Sequence, residues 1–118
     1  MKLVAFVGND KENWGQITAL INRMESDDII IVQNKDVEGF PMTSKCKLIS
    51  IDTSKPLAEL KHLLIEKIKP ILSGDFEVAL SLASGNGKEH MALIAALLNV
   101  PVGVKIAVYT KEGVQFIT

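Results

Sequence analysis

The stretch from Phe76 to Thr110 constrains the fold more than any other part of the chain. It begins with an apolar run, Phe76-Glu77-Val78-Ala79-Leu80-Ser81-Leu82, and turns through Ala83-Ser84-Gly85-Asn86-Gly87-Lys88-Glu89. It then continues as an apolar helical segment, Met91 to Leu98, and ends in a second strand-like run, Val104 to Tyr109. Two buried strands joined by a helix form a parallel crossover unit. Glycines at a strand-to-helix turn let a ligand approach backbone N–H groups that the helix leaves unpaired. Lys88, a cation in the first turn, opposes the helix dipole, so its place there suggests an anion.

The rest of the chain supplies the partners of this unit. Lys2 to Val7 reads as a central strand ending at Gly8-Asn9-Asp10, where Asn9 or Asp10 is expected to cap a helix. That helix carries Trp14, Ile17, Leu20, Ile21 and Met24 on one face and ends near Glu25-Ser26. Ile29 to Val32 is a second strand. From Gln33 to Lys45 periodicity is lost, and the segment is expected to be the least ordered internal one, lying near the ligand crevice as a candidate lid. Leu48 to Ile51 is a third strand. Thr53 or Ser54 with Pro56 starts a helix striped by Leu57, Leu60, Leu64, Ile68 and Ile71, which Pro70 and Gly74 bring to an end. Lys111-Glu112-Gly113 links Val104–Tyr109 to Val114–Ile117 as a hairpin.

Under the right-handed crossover rule this order predicts a single α/β domain over residues 1–118, a Rossmann-like three-layer sandwich. Its sheet is mostly parallel, in order 3-2-1-4-5, with an antiparallel C-terminal edge strand. The strand order reverses between strands 1 and 4, so the turns Gly8-Asn9-Asp10 and Ser84 to Glu89 should meet at the switch-point crevice where such sheets bind ligands. The ligand-binding candidates are therefore Gly8, Asn9, Asp10, Ser84, Gly85, Asn86, Gly87 and Lys88.

Composition narrows the chemistry. With 23% charged residues and a net charge of −1, the chain lacks the basic face that long duplex nucleic acid requires. A single cysteine, Cys46, excludes an intrachain disulfide and agrees with a reducing, cytoplasmic setting. No apolar segment approaches the roughly 20 residues that span a bilayer. The helix Met91–Leu98 is apolar on every side, more than one small sheet can cover, so a homodimer is expected to form through it.

Familiar nucleotide motifs are missing. The first turn lacks G-x-G-x-x-G, which disfavours NAD, and Leu82 and Glu89 stand where a P-loop needs glycine and Ser/Thr. His62 and His90 are too isolated for a metal triad, so neither a metal nor another cofactor is expected. His90, beside Lys88 and Glu89, is open to an acid/base role or to a solvated one. Asp27-Asp28 reads as solvated turn chemistry.

Leu82-Ala83-Ser84-Gly85-Asn86-Gly87-Lys88-Glu89-His90-Met91-Ala92-Leu93 resembles the signature turn of CARF domains, the CRISPR-associated Rossmann-fold sensors. Element order, the turn Val7-Gly8-Asn9-Asp10 and the terminal hairpin are similar as well. Asn86 departs from the family pattern by interrupting its paired glycines. The resemblance implies a homodimer whose cleft binds a cyclic oligoadenylate, with Ser84, Gly85, Gly87 and Lys88 on phosphate or ribose and Asn9 on the opposite wall. Some members, the ring nucleases, cleave this ligand without metal, which makes Ser84, Lys88 and His90 the catalytic candidates. With no appended effector domain expected, the chain would act as a sink or degrader of the signal, or through a separate partner. The residues alone leave two alternatives open: a dimerising interaction module without a small ligand, and an enzyme acting on another phosphorylated metabolite.

Overall fold

Long apolar runs separated by polar turns make one mixed sheet, seen in a computed structural model that describes residues 1–118. The strands are β1 (Lys2–Val7), β2 (Ile29–Asn34), β3 (Cys46–Ile51), β4 (Glu77–Ser81), β5 (Gly103–Thr110) and β6 (Gly113–Phe116). The helices are α1 (Trp14–Arg23), α2 (Leu57–Ile68) and α3 (Gly87–Leu98), with a 3₁₀ turn at Lys11–Asn13. The sheet order is β3-β2-β1-β4-β5-β6, parallel except for the antiparallel β5–β6 pair. The chain is an α/β, Rossmann-like sandwich.

Both faces of the central strands are covered, which is why β1, β2 and β4 show no alternation of apolar and polar residues. Val4, Phe6, Ile30, Val32, Val78 and Leu80 pack with Leu60 and Leu64 of α2 and Leu93 and Leu97 of α3. Leu3, Ala5, Val7, Ile29, Ile31 and Ala79 pack with Trp14, Ile17 and Leu20 of α1. Each fully buried Leu, Ile or Phe side chain contributes about 1.5–3 kcal/mol relative to exposure.

The face covered by α1 has only that helix, and the segment after β2 makes up the deficit. Val37 and Phe40 are buried in the same cluster, and Phe40 meets the Trp14 ring edge-on at 5.4 Å between centroids. Gln33 Nε2 donates to the Val37 carbonyl at 3.0 Å. The segment Gln33–Lys45 therefore contains a strand end and two apolar anchors, and its lack of periodicity reflects irregular packing rather than the expected loose lid.

Other boundaries also move. β3 begins at Cys46, two residues before the expected Leu48, because its pairing with β2 extends back to Ile29. Phe76, expected in β4, lies outside it and is 95% exposed. Neither Asn9 nor Asp10 caps α1: Asn13 stands at its N-cap without a side-chain capping bond, and the Asp10 carboxylate is engaged elsewhere. On the outer face of α3, Met91, Ile94 and Leu98 are exposed, at 55%, 36% and 76%. No helix is long and apolar enough to cross a membrane.

Candidate functional site

The two polar turns meet at the carboxyl ends of β1 and β4, and they do so through side chains of their own. Ser84 is fully buried; its Oγ accepts from Gly8 N at 2.8 Å and donates to Asp10 Oδ1 at 2.6 Å. The same Asp10 oxygen accepts from Gly85 N at 3.1 Å, and Oδ2 accepts from Asn13 Nδ2 at 2.7 Å. Burial alone would raise the Asp10 pKa, but the hydrogen bonds from Asn13, Ser84 and Gly85 outweigh it and hold the carboxyl below its ordinary value. Trp14 Nε1 closes the assembly by donating to the Gly8 carbonyl at 2.8 Å.

Two of the glycines are explained by this closure. A Cβ at Gly8 would lie 2.7 Å from Asp10 Oδ1 and 2.9 Å from Gly85 Cα. At Gly85, where φ is +100°, it would lie 2.7 Å from the buried Phe6 ring. Gly87 is different: nothing lies within 4 Å of its Cβ position.

Helix α3 then starts with a capping box. Asn86 Oδ1 accepts from Glu89 N and Glu89 Oε1 accepts from Asn86 N, each at 2.9 Å. The amides of Gly87 and Lys88 make no protein hydrogen bond and remain as the unpaired donors of the first turn. Lys88 Nζ reaches across the sheet end to donate to the Thr53 carbonyl at 2.9 Å. Thr53 N in turn donates to Asn34 Oδ1 at 2.9 Å, Asn34 Nδ2 donates to Asp36 Oδ1, and Asn9 Nδ2 reaches the same carboxylate at 3.4 Å. A chain of polar links thus runs from α3 around the sheet's carboxyl edge and back to the first turn.

Between the turns lies a cleft of about 280 Å³ lined by Gly8, Asn9, Asp10, Gly85, Asn86 and Glu89, with no apolar residue. Glu89 is only 8% exposed. No family model, curated protein or solved structure matches this chain. Geometry alone assigns the roles.

All eight ligand-binding candidates gather around the crevice or the adjoining first turn of α3, but they are not equivalent. Ser84 and the Gly85 amide serve turn-to-turn closure, and Ser84, wholly buried and outside the cleft lining, presents no hydroxyl to a ligand. His90 Nε2 lies 2.6 Å from the Ser84 carbonyl, which only accepts, so this nitrogen carries the proton. Serine, histidine and aspartate are neighbours, yet His90 does not bond the Ser84 hydroxyl and no hydrolytic triad forms. Lys88, expected to be a free cation at an exposed helix start, is half-buried and oriented by Thr53. No group of three or more His, Cys, Asp or Glu side chains is arranged to hold a metal ion.

Glu89, Thr53, Asn34 and Asp36 were not among the candidates. Glu89 was signalled by the Asn-x-x-Glu spacing of a capping box. The other three come from the ends of β2 and β3, and no local pattern announces them.

Proposed function

We propose that the chain is a stand-alone CARF-like module that binds a small, multiply charged nucleotide, most specifically a cyclic oligoadenylate, at the switch-point crevice of a homodimer. The observation that carries this reading is the open side of the α3 start. Gly87 has no packing neighbour to explain it, and its amide and that of Lys88 are unpaired beside a lysine whose ammonium spends one of three hydrogens on Thr53. A phosphate there would meet two amides, the positive end of the helix dipole and a cation already oriented. The adjoining cleft leaves room for sugar or base against Asn9 and Asn86.

The dimer reading rests on Met91, Ile94, Ala95 and Leu98, spaced i, i+3, i+4 and i+7 along α3, with no charged residue after Glu89 in that helix. An isologous α3–α3 contact would cover this ridge and bring two copies of the crevice into one assembly. A ligand with repeated phosphates would then find each contact twice. If the ligand is cleaved, its own ribose 2′-hydroxyl attacks the adjacent phosphorus and the bond to the 5′-oxygen breaks, the hydroxyl's proton leaving with that oxygen to give a 2′,3′-cyclic phosphate and a 5′-hydroxyl. Lys88 and the free amides stabilise the developing charge, and the buried Ser84 takes no part.

Calorimetry against nucleotides including cyclic oligoadenylates tests the reading. Lys88→Ala is expected to weaken binding about 10- to 150-fold, as loss of one charge-assisted hydrogen bond would. Unchanged affinity in that variant removes the site. The second reading, a dimerising module without a small ligand, is favoured by the exposed α3 ridge alone, and a dimer that binds no nucleotide would establish it.

A further inference from the structure

The crevice contains two carboxylates and no cation in its lining, an arrangement at odds with a pocket that takes phosphate. Asp10 already fills the centre of the β4–α3 turn as a built-in anion, accepting from Gly85 N at 3.1 Å and from Ser84 Oγ at 2.6 Å. Glu89, more than nine-tenths buried, lines the cleft from the other side. Its Oε1 is used by Asn86 N, whereas its Oε2 makes no hydrogen bond to the protein. That oxygen is not sealed in the protein but opens to the cleft, so it is an acceptor that a ligand's donor can reach. The lining residues Asn9 and Asn86 carry no charge to offset it, and Lys88 is turned away to Thr53.

We infer that Asp10 and Glu89 are specificity-determining residues that admit to the cleft the hydroxyl- or amino-bearing part of a ligand and keep its phosphate outside. This rests on the nucleotide-binding reading and sharpens it. An anion entering the cleft would meet two like charges at short range, which destabilises it in a partly desolvated site. A sugar hydroxyl or an exocyclic amine would instead donate to Glu89 Oε2. The phosphate is left to the Gly87 and Lys88 amides and the Lys88 ammonium, outside the lining. Closure of the two turns depends on the same Asp10 oxygen, so the selectivity is built into the fold.

Backbone amide shifts in ¹H–¹⁵N spectra of the full chain test this, with adenosine as the uncharged probe and inorganic pyrophosphate as the anion. In the wild type, adenosine is expected to shift the Asn9, Gly85 and Asn86 amides. Pyrophosphate is expected to shift only Gly87 and Lys88. In Asp10→Asn/Glu89→Gln, which keeps the acceptor oxygens of the turn closure and capping box, pyrophosphate should reach Gly85 and Asn86. Adenosine affinity should fall at least about tenfold in that variant. Pyrophosphate moving Gly85 in the wild type overturns the inference without reference to any mutant, and so does a double variant whose spectrum is folded and which behaves as wild type. Pyrophosphate shifting Gly87 and Lys88 while adenosine shifts nothing also overturns it, yet leaves the proposed phosphate site standing. An unaltered nucleotide affinity in Lys88→Ala removes that site instead.

Discussion

Gly85→Ala and Gly87→Ala differ by one position and should have opposite consequences. At Gly85, φ is +100°, a conformation in which an L side chain is strained, and the new methyl would sit 2.7 Å from Phe6 Cδ1, 3.1 Å from His90 Nε2 and 3.2 Å from Glu89 Oε1. Phe6 is wholly buried in the cluster beneath α2 and α3, so its ring cannot swing away at low cost. Backbone strain of about 1–3 kcal/mol and overpacking of about 1–3 kcal/mol together suggest a loss of roughly 2–6 kcal/mol. At a few degrees per kcal/mol, that lowers Tm by on the order of 10 °C or more. Gly87 has ordinary φ and nothing within 4 Å, so alanine there should leave stability unchanged or raise it by about 0.5–1 kcal/mol. The same alanine narrows the approach to the free amide and should weaken nucleotide binding. Urea denaturation followed by circular dichroism reads both stabilities. A Gly85→Ala protein within about 1 kcal/mol of wild type would refute the packing argument. A Gly87→Ala protein as unstable as Gly85→Ala would refute the claim that Gly87 is free for a ligand.

Other outcomes follow from the same contacts. Asp10 is held below its ordinary carboxyl value, chiefly against the opposing effect of burial, and Asp52 is lowered to about 2 by hydrogen bonds from Ser54 and by Lys35. Groups depressed on folding stabilise above their unfolded pKa of 3.8 and lose that contribution as pH falls through the folded value, so stability should decline between about pH 4 and pH 2. Asp10→Asn should flatten that decline, as chemical denaturation at several pH values would reveal. Leu98→Glu, at the 76% exposed end of the α3 ridge, should yield a monomer in light scattering with its circular dichroism intact. Phe40→Ala should cost about 3 kcal/mol and accelerate hydrogen exchange across the segment after β2, whereas a passive loop would tolerate it.

The sheet was legible because the runs Leu3–Val7, Ile29–Val32 and Val78–Leu80 within β1, β2 and β4 are apolar without interruption, too short for helices and bounded by polar turns, as strands covered on both faces are. Crossover handedness then fixed the strand order and brought Gly8-Asn9-Asp10 to Ser84–Lys88. What those turns do to each other was not legible. Asp10 next to a helix start reads locally as a cap, but its carboxylate is taken by Ser84, 74 residues away, and long-range hydrogen bonds leave no local spacing. Ser84 and Gly85 read as ligand groups for the same reason: small and hydroxyl residues suit both a ligand's approach and the close approach of another turn. Val37 and Phe40 were hidden because irregular segments bury single side chains without periodicity. Phe76 differs in the other direction: an aromatic beside a buried run reads as part of the strand, yet it precedes β4 and faces solvent.

The orientation of Lys88 gives a sharper test of the site than its removal. An unrestrained lysine gives up about 2 kcal/mol of rotamer freedom when it is fixed on an anion. Here part of that cost is met before any ligand arrives, because the Thr53 carbonyl holds the ammonium and Asn34 Oδ1 holds the Thr53 amide at 2.9 Å. Asn34→Ala cuts the support without contacting Lys88 or Gly87, although it also frees the Asp36 carboxylate that Asn9 reaches at the cleft wall. It should cost about 1–3 kcal/mol of stability as two lost hydrogen bonds, to Thr53 N and to Asp36. Nucleotide affinity should fall by several-fold, up to about tenfold, as Lys88 regains its freedom. A double-mutant cycle separates this from general loosening: if Asn34 acts through Lys88, Asn34→Ala should have no further effect on affinity in a Lys88→Ala background. Additive losses would mean that Asn34 supports the crevice by another route, and an unchanged affinity in the single variant would mean that the Thr53 contact does not pre-orient the cation.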